Sequence, residues 1–248
     1  MNVSLYQAAA AMNANSRWQE LISENLADSS VPGARKQDVS FSAIEAGLPS
    51  GQLGLNGERF VMPSARGVIN FSQGEINPTG AATDFAVDGP GFLQVQMPNG
   101  DTAYTRDGEL HLSAQGQLVT KRGYPIAGDG GPIQLDPNNS APMTVSATGQ
   151  VSQGGEAKGK IRLVEFKDPH DLTVMGQGYY LGTKSGSKPT DAQSTALRQG
   201  YLEGANTSPT VEMSSLITAM RMYESNEKVI QMQDDRMGKV ITDLGGTS

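Results

Sequence analysis

The sequence predicts a mainly β protein with terminal helices, in which an all-β domain is inserted between the two halves of a discontinuous α-helical coiled coil. Two observations lead to this fold class. Both ends carry apolar residues at helical spacing, whereas the middle carries short alternating segments separated by Gly, Pro and Asn. We divide the chain into an N-terminal helix, an extended Gly-rich connector with a hairpin, an all-β outer domain and a C-terminal heptad helix, at residues 1–34, 35–84, 85–205 and 206–248.

The N-terminal helix is predicted from residues 4–29, which contain neither Gly nor Pro. Ser4 and Gln7 have the spacing of a capping box, in which each side chain satisfies a free N–H of the first turn. The run Val31-Pro32-Gly33 then ends the helix. One face carries small and apolar residues at helical spacing, namely Leu5, Ala8, Ala9, Met12, Ser16, Ile22 and Leu26.

The C-terminal helix is predicted to begin at Ser208-Pro209, because Pro loses nothing at the first helical position, and to end near Gly245. A seven-residue repeat along it favours a coiled coil over an ordinary surface helix. Glu227 and Asp234 interrupt the second row of the repeat, which fits a seam with one dry side and one side that meets other partners. The first row contains Leu216, Tyr223, Ile230, Met237 and Leu244, and the second, offset by four, contains Met213, Met220 and Ile241.

The β pattern has its clearest signal at Asn99-Gly100, a hairpin turn between two alternating segments. Gly116 and Gly149 mark two further turns of one kind. Short strands at this spacing indicate a sandwich or an open barrel. We predict strands over residues 85–87, 92–97, 102–105, 109–112, 118–120, 143–145, 151–152 and 160–166, and an exposed loop over 185–195.

Composition excludes several function classes. The formal net charge is −7, and an acidic chain without a basic stripe is a poor candidate for binding nucleic acid. There is no cysteine, which excludes disulfides, thiolate metal ligands and a cysteine nucleophile. No apolar stretch is long enough for direct membrane insertion. The first twenty residues lack a basic n-region, so we expect export without a cleaved signal peptide.

The candidate chemistry is weak. Residues 154–160 match the phosphate-loop spacing, but Ile161 stands where a Ser or Thr is needed, so we interpret the segment as a turn. His111 and His170 are isolated in sequence, and Asp129 lies in a Gly-rich turn. We therefore predict no catalytic residue, cofactor or metal site, and favour an assembly protein. The alternative is a soluble β-rich binding protein or enzyme that its helices dimerise.

Three sequence motifs occur in order, one near each end and one in the β region. Their residues are Asn25, Leu26, Ala27, Pro32, Gly33, Asp88, Gly89, Gly91, Phe92, Arg106, Asp107, Gly108, Asn206, Glu212, Arg221, Tyr223, Glu224, Asn226 and Lys228. Together they resemble the motifs of the bacterial flagellar basal-body rod and hook proteins, over essentially the whole chain. Val31, Ala34 and Arg35 depart from the pattern, since many relatives carry Thr, an aromatic residue and Lys there.

The resemblance implies a non-enzymatic structural subunit of the rod, the drive shaft that crosses the periplasm, with the terminal helices as an inner coiled-coil layer. Its partners would be copies of itself, other rod subunits and the flagellar type III export apparatus. Residues 123–133 and the short length look most like the proximal rod type, and the distal rod and hook types are the alternatives. The predicted assembly interface contains Leu5, Met12, Ile22, Leu26, Met213, Leu216, Met220, Tyr223, Ile230, Met237, Ile241 and Leu244.

Overall fold

The chain forms two compact units in a computed structural model. Unit 1 contains residues 1–24, 37–68 and 210–248, and unit 2 contains residues 25–36 and 69–209. The structure describes residues 3–46, 60–139, 141–182 and 188–245, without the side chains of residues 3–5, 44–46, 60–61 and 243–245. Of the predicted connector over 35–84, residues 37–68 belong to unit 1 and residues 35–36 and 69–84 to unit 2, and the four-part division of the chain stays a prediction.

The described residues contain two α-helices, α1 over Val3–Asp28 and α2 over Pro209–Gly245. Both lie within a residue of the predicted bounds, and α2 begins at the expected Pro. A turn follows α1, in which the N–H of Val31 donates to the carbonyl of Asp28 at 2.9 Å. The mainly β fold with a helix near each end is confirmed, and the coiled coil stays a prediction.

Most strands are short, and in unit 2 seven of the predicted strands are present. Within the loop predicted over 185–195, Thr190–Asp191 forms a strand, although both residues are exposed. A 3₁₀ turn over Pro169–Asp171 precedes β15. The strands are β1 Gln37–Ala46, β2 Phe60–Ile69, β3 Ile76–Pro78, β4 Phe85–Asp88, β5 Phe92–Gln96, β6 Thr102–Thr105, β7 Leu110–Leu112, β8 Leu118–Thr120, β9 Ala127–Gly128, β10 Gly131–Pro132, β11 Met143–Val145, β12 Gln150–Gln153, β13 Glu156–Lys160, β14 Leu163–Glu165, β15 Leu172–Gly176, β16 Tyr179–Gly182, β17 Thr190–Asp191, β18 Ala196–Gln199 and β19 Tyr201–Glu203.

A six-stranded antiparallel sheet in the order β15-β16-β6-β5-β14-β17 forms the centre of unit 2. Successive residues of its inner strands point to opposite faces. Leu93, Val95 and Tyr179 enter a large aliphatic core, whereas Phe92 and Tyr180 enter a smaller aromatic cluster. Both faces of the central strands are therefore buried. The smaller sheets are β11-β12-β13 and the pairs β1-β2, β9-β10, β7-β8, β4-β18 and β3-β19.

The prediction of one strand over residues 160–166 is wrong. Lys160 ends β13, and the chain resumes as β14 at Leu163 in a different sheet. The break lies at Ile161, which is fully buried and forms an isolated bridge to Gly128. Apolar residues occur on both sides of the break because Ile161 and Leu163 enter the aliphatic core and Val164 enters the aromatic cluster, although the backbone passes from one sheet to another between β13 and β14.

The segment with phosphate-loop spacing forms a tight hairpin. Gly154 and Gly155, with φ of +60° and +89°, form the turn between β12 and β13. Positive φ at both central residues is what a two-residue hairpin turn requires, and glycine adopts it without steric cost. The segment continues as a strand, so the helix N-terminus that would bind phosphate does not follow.

Strand β7 offers a matched test of the core. Leu110 is fully buried, whereas Leu112, two residues on, is 47% exposed. Leu110→Ala should lower the free energy of unfolding by about 2–5 kcal/mol, because it leaves a cavity in the aliphatic core. Leu112→Ala should change it by no more than about 0.5 kcal/mol. Urea unfolding followed by circular dichroism measures both, and equal losses would contradict the placement of the core.

Junction cluster and candidate assembly helix

Three buried charged side chains from distant parts of the sequence meet in unit 2. We call Arg35, Arg106 and Glu203 the junction cluster. Glu203 accepts a hydrogen bond from Arg35 Nη2 at Oε1 and from Arg106 Nε at Oε2, the latter at 2.9 Å. The three side chains are at most 3% exposed. The N–H of Gly74 donates to the same carboxylate at 2.9 Å.

Arg106 uses its remaining donors on the turn between β4 and β5. Its Nη1 donates to the carbonyls of Gly89 at 2.8 Å and Gly91 at 2.6 Å, and its Nη2 donates to Val87 O at 2.9 Å. The guanidinium lies 5.7 Å from the Phe92 ring centroid. Burial lowers the pKa of Arg106, and the Glu203 carboxylate opposes that shift. The planar fork of Arg fits four acceptors in this way, whereas Lys would present only a point charge.

Gly33 brings the segment after α1 against the same residues. Its N–H donates to the backbone carbonyl of Glu203 at 2.7 Å. Its φ is +67°, and an added Cβ would lie 2.4 Å from the backbone C and O of Arg106. Only glycine fits this conformation and this close approach. The Pro-Gly of the N-terminal motif is thus explained by a contact with the central motif.

Asn206 connects the segment before α2 to the same region. Its Oδ1 accepts from the N–H of Lys36 at 2.7 Å, and its Nδ2 donates to the carbonyls of Asn70 at 2.8 Å and Ser72 at 2.9 Å. A single side chain therefore satisfies backbone groups of two segments that lie far apart in sequence. Gly33 and Arg106, from two of the family motifs, are buried against Glu203, and the half-buried Asn206 of the third bonds the adjoining segments.

The charges of the junction cluster do not cancel, since two guanidinium groups face one carboxylate. Arg35 Nε and Nη1 are buried without a hydrogen-bond partner among the described residues. The backbone N–H of Arg35 donates to the Tyr180 hydroxyl at 3.1 Å, and burial raises the pKa of Tyr180 to about 12. Because an unpaired buried charge is costly, the stability of this region depends on the Glu203 carboxylate.

Helix α2 has an unusual distribution of apolar residues. Its covered or half-buried positions recur at heptad spacing, and polar residues such as Glu212, Asn226 and Gln233 occupy several of them. Ten large apolar side chains of α2 are exposed, of fifteen such side chains among those described. They are Val211, Met213, Ile217, Met220, Met222, Val229, Met232, Met237, Val240 and Ile241. The solvent side of α2 is therefore richer in large apolar side chains than its covered side.

The predicted interface residues divide between these two sides. Ile22 of α1 is buried, and Met12 and Leu26 are half-buried. Leu216, Tyr223 and Ile230 lie on the covered side of α2, whereas Met213, Met220, Met237 and Ile241 are exposed. Leu5 and Leu244 lie outside the described side chains. The covered side also includes the fully buried Ala219, a small residue that the search for large apolar side chains missed.

The other candidate groups remain apart. His111 is exposed in β7, His170 lies in the 3₁₀ turn, and Asp129 lies in a turn 3.9 Å from the ammonium of Lys160. Among the described residues, no three His, Cys, Asp or Glu side chains are arranged to hold a metal ion. Neither described helix is long and apolar enough to cross a membrane.

The junction cluster predicts a large loss of stability on removal of one charge. Glu203→Gln removes the carboxylate that both buried guanidinium groups contact and should cost about 3–5 kcal/mol. Asp88→Asn is the matched control, because Asp88 pairs with Arg198 at 2.7 Å at the surface, where both side chains are more than a third exposed. Its cost should stay below about 1 kcal/mol. Similar losses in the two variants, measured by urea unfolding, would contradict the role of Glu203.

Asp107, next to Arg106, should make the free energy of unfolding depend on pH. Burial raises its pKa to about 6, although the N–H of Glu109, which donates to its Oδ1 at 3.0 Å, opposes the shift. This value lies above the ordinary 3.8, so between these pH values the folded chain holds a proton that the unfolded chain has released. The contribution of Asp107 to stability therefore falls as pH rises through that window, by up to about 3 kcal/mol.

Asp107→Asn removes this dependence. The variant should become more stable relative to the parent chain as pH rises from about 4 to about 7, because it carries no carboxyl to ionise in the buried site. Paired urea titrations at several pH values measure the difference. A difference that stays constant over this range would show that Asp107 has an ordinary pKa.

Two family models match the chain. A family model described as the flagellar hook protein FlgE/F/G D1 domain matches residues 86–153, which include Arg106. A second, described as the C-terminal region of the flagellar basal body rod FlgEFG protein, matches residues 198–243, which include Glu203 and most of α2.

Full-length relatives are also similar. The flagellar basal-body rod protein FlgG of Buchnera aphidicola subsp. Schizaphis graminum is 34% identical and covers 96% of this chain and 98% of its own length. The flagellar basal-body rod protein FlgF of Caulobacter vibrioides is 32% identical and covers 99% of each chain. FlgG of Bacillus subtilis is 30% identical over 96% of this chain and 97% of its own. With relatives of 30% identity or more that match it from end to end, the chain belongs to the flagellar basal-body rod protein family.

Proposed function

We propose that this chain is a structural subunit of the flagellar basal-body rod, which assembles with copies of itself and with other rod subunits through its terminal helices. The observation that carries the proposal is the apolar solvent side of α2. Large apolar side chains that are exposed together on one element mark an interaction surface, because their contact with water is unfavourable until a partner covers them. A drive shaft needs many such contacts between subunits and no catalytic site.

The coiled-coil arrangement belongs to the same proposal. Within unit 1, a groove between α1 and α2 is lined by Ala11, Ala14, Asn15, Phe41, Pro63, Met222, Ser225 and Asn226. Several of these residues, such as Ala11, Ala14 and Ser225, are small and permit close approach of the helices. The covered stripe of α2 recurs every three and four residues through 212, 216, 219, 223, 226 and 230, which is coiled-coil spacing. We infer that a second stripe, through Met213, Ile217 and Met220, packs on a neighbouring subunit.

The end of α2 supports an interface as well. Met237 continues the row of Leu216, Tyr223 and Ile230, and Ile241 continues the row of Met213 and Met220. Met237 and Ile241 are 49% and 68% exposed. Helix α2 has 37 residues and α1 has 26. The apolar stripe thus extends past the part of α2 that is covered, and we propose that other subunits cover it in the assembled rod.

Family membership supports a proposal for the location, the export route and the type of subunit. We propose that the chain lies in the rod in the periplasm and reaches it through the flagellar type III export apparatus, without cleavage of a signal peptide. We further propose the proximal type. The support is the short length of 248 residues, together with the resemblance of residues 123–133 noted above. Two relatives named FlgF align with the chain over a similar length, 247 and 249 residues, whereas the FlgG relative from Buchnera aligns over 263. The hook-type alternative is not better supported.

The assembly surface is tested by one substitution at the end of α2. Ile241→Asp should leave the folded monomer intact, because the site is exposed. It should abolish assembly or raise the required concentration by at least about 100-fold, since a buried unpaired charge costs several kcal/mol. Sedimentation and electron microscopy of the purified subunit measure assembly, and thermal unfolding checks the fold.

Two other variants make this test specific. Lys239→Asp changes an exposed charged position two residues away and should assemble like the parent chain. Ile230→Asp places a charge on the covered side of α2 and should destabilise the monomer itself. Normal assembly of Ile241→Asp would contradict the proposed surface, and so would an equal defect in Lys239→Asp.

A further inference from the structure

Sulfur in this protein is concentrated on one helix. The chain has eleven methionines and no cysteine, so no thiol of its own competes for an oxidant. Five methionines lie on α2, and their exposed fractions range from 48% to 57%: Met213, Met220, Met222, Met232 and Met237. Met143, in the aliphatic core of unit 2, is 8% exposed by comparison. Among the described side chains, the most exposed thioethers therefore belong to the surface that we assign to assembly.

We propose that the exposed methionines of α2 form a peroxide-modification site, at which conversion to the sulfoxide prevents the subunit from adding to the assembly. Hydrogen peroxide transfers one oxygen atom to the thioether sulfur. The O–O bond breaks, an S–O bond forms, sulfur loses two electrons and the second oxygen leaves as water. The step needs no catalytic group of the protein, and its selectivity comes from access to the sulfur.

The consequence for assembly rests on the proposed function. A thioether packs as a flexible apolar group, whereas a sulfoxide is polar, chiral and a strong hydrogen-bond acceptor. Met213 and Met220 lie one heptad apart on either side of Ile217, so two sulfoxides would enter a single apolar stripe. Without donors opposite them, their burial against a second subunit would cost free energy. In the free subunit the same groups face water and cost little.

The first experiment measures the order of oxidation. The full-length subunit is treated with dilute hydrogen peroxide, and peptide mass spectrometry follows each methionine over time. The five α2 methionines should gain oxygen well before Met143, while circular dichroism shows that the fold is unchanged. Oxidation of Met143 at the same rate as the α2 methionines would overturn the site.

The second experiment measures assembly after oxidation. The oxidised parent should need at least about tenfold more protein to assemble, and treatment with methionine sulfoxide reductases should restore the original concentration. The control replaces all five α2 methionines by Leu, which keeps the apolar surface without a sulfur, and should assemble equally before and after peroxide.

The remaining outcomes test the effect of oxidation on assembly and the proposed function separately. Unchanged assembly of the fully oxidised parent, or an equal loss in the Leu variant, would overturn the claim that oxidation prevents assembly. Failure of the untreated parent to assemble would overturn the proposed function and, with it, that claim. The order of oxidation would still decide in that case whether the modification site exists.

Discussion

The buried carboxylate of Glu203 is the constraint on which the rest of unit 2 depends. The carboxylate accepts hydrogen bonds from Arg35, Arg106 and the N–H of Gly74. The backbone carbonyl of Glu203 accepts a further hydrogen bond from the N–H of Gly33. Two guanidinium groups and one carboxylate are removed from water at this point, so the cluster is stable only when all its segments are in place. The chain passes from unit 2 to unit 1 directly after Lys36 and shortly after Asn206, beside this network.

This constraint explains why the sequence carries three separated motifs. The residue at 33 must be glycine because Arg106 lies against it, and Arg106 must be arginine because it serves three carbonyls and one carboxylate. Unit 2 buries its large apolar side chains in two cores, beside the junction cluster. Helix α2 differs, because polar residues occupy part of its covered stripe while methionines and branched residues face solvent. We interpret this contrast as the difference between unit 2, which buries its apolar side chains by itself, and α2, whose apolar side chains are to be covered by neighbouring subunits.

Local chemistry predicted both helices and the strands β4 to β8, but not β15, β16, β18 or β19, and little of the network. Pro209 and the turn at Gly33 determine the helix ends through backbone rules, and Asn99-Gly100 identifies the hairpin between β5 and β6. Glu203 could not be found in this way, because nothing near it in sequence shows that a buried arginine lies opposite. Arg35 was visible only as a departure from the family pattern. The prediction of one strand over 160–166 is wrong because the hydrophobic pattern does not change where the chain passes from one sheet to another.

Hydrogen exchange at single amides tests the central claim most directly. The amides of Gly33 and Gly74 both donate to Glu203, and that of Lys36 donates to Asn206. If one network holds these segments, Arg106→Met should accelerate exchange at all three amides together, although they lie more than 30 positions away in sequence. Acceleration confined to the neighbours of residue 106, with Gly33 and Lys36 as protected as in the parent chain, would contradict the account.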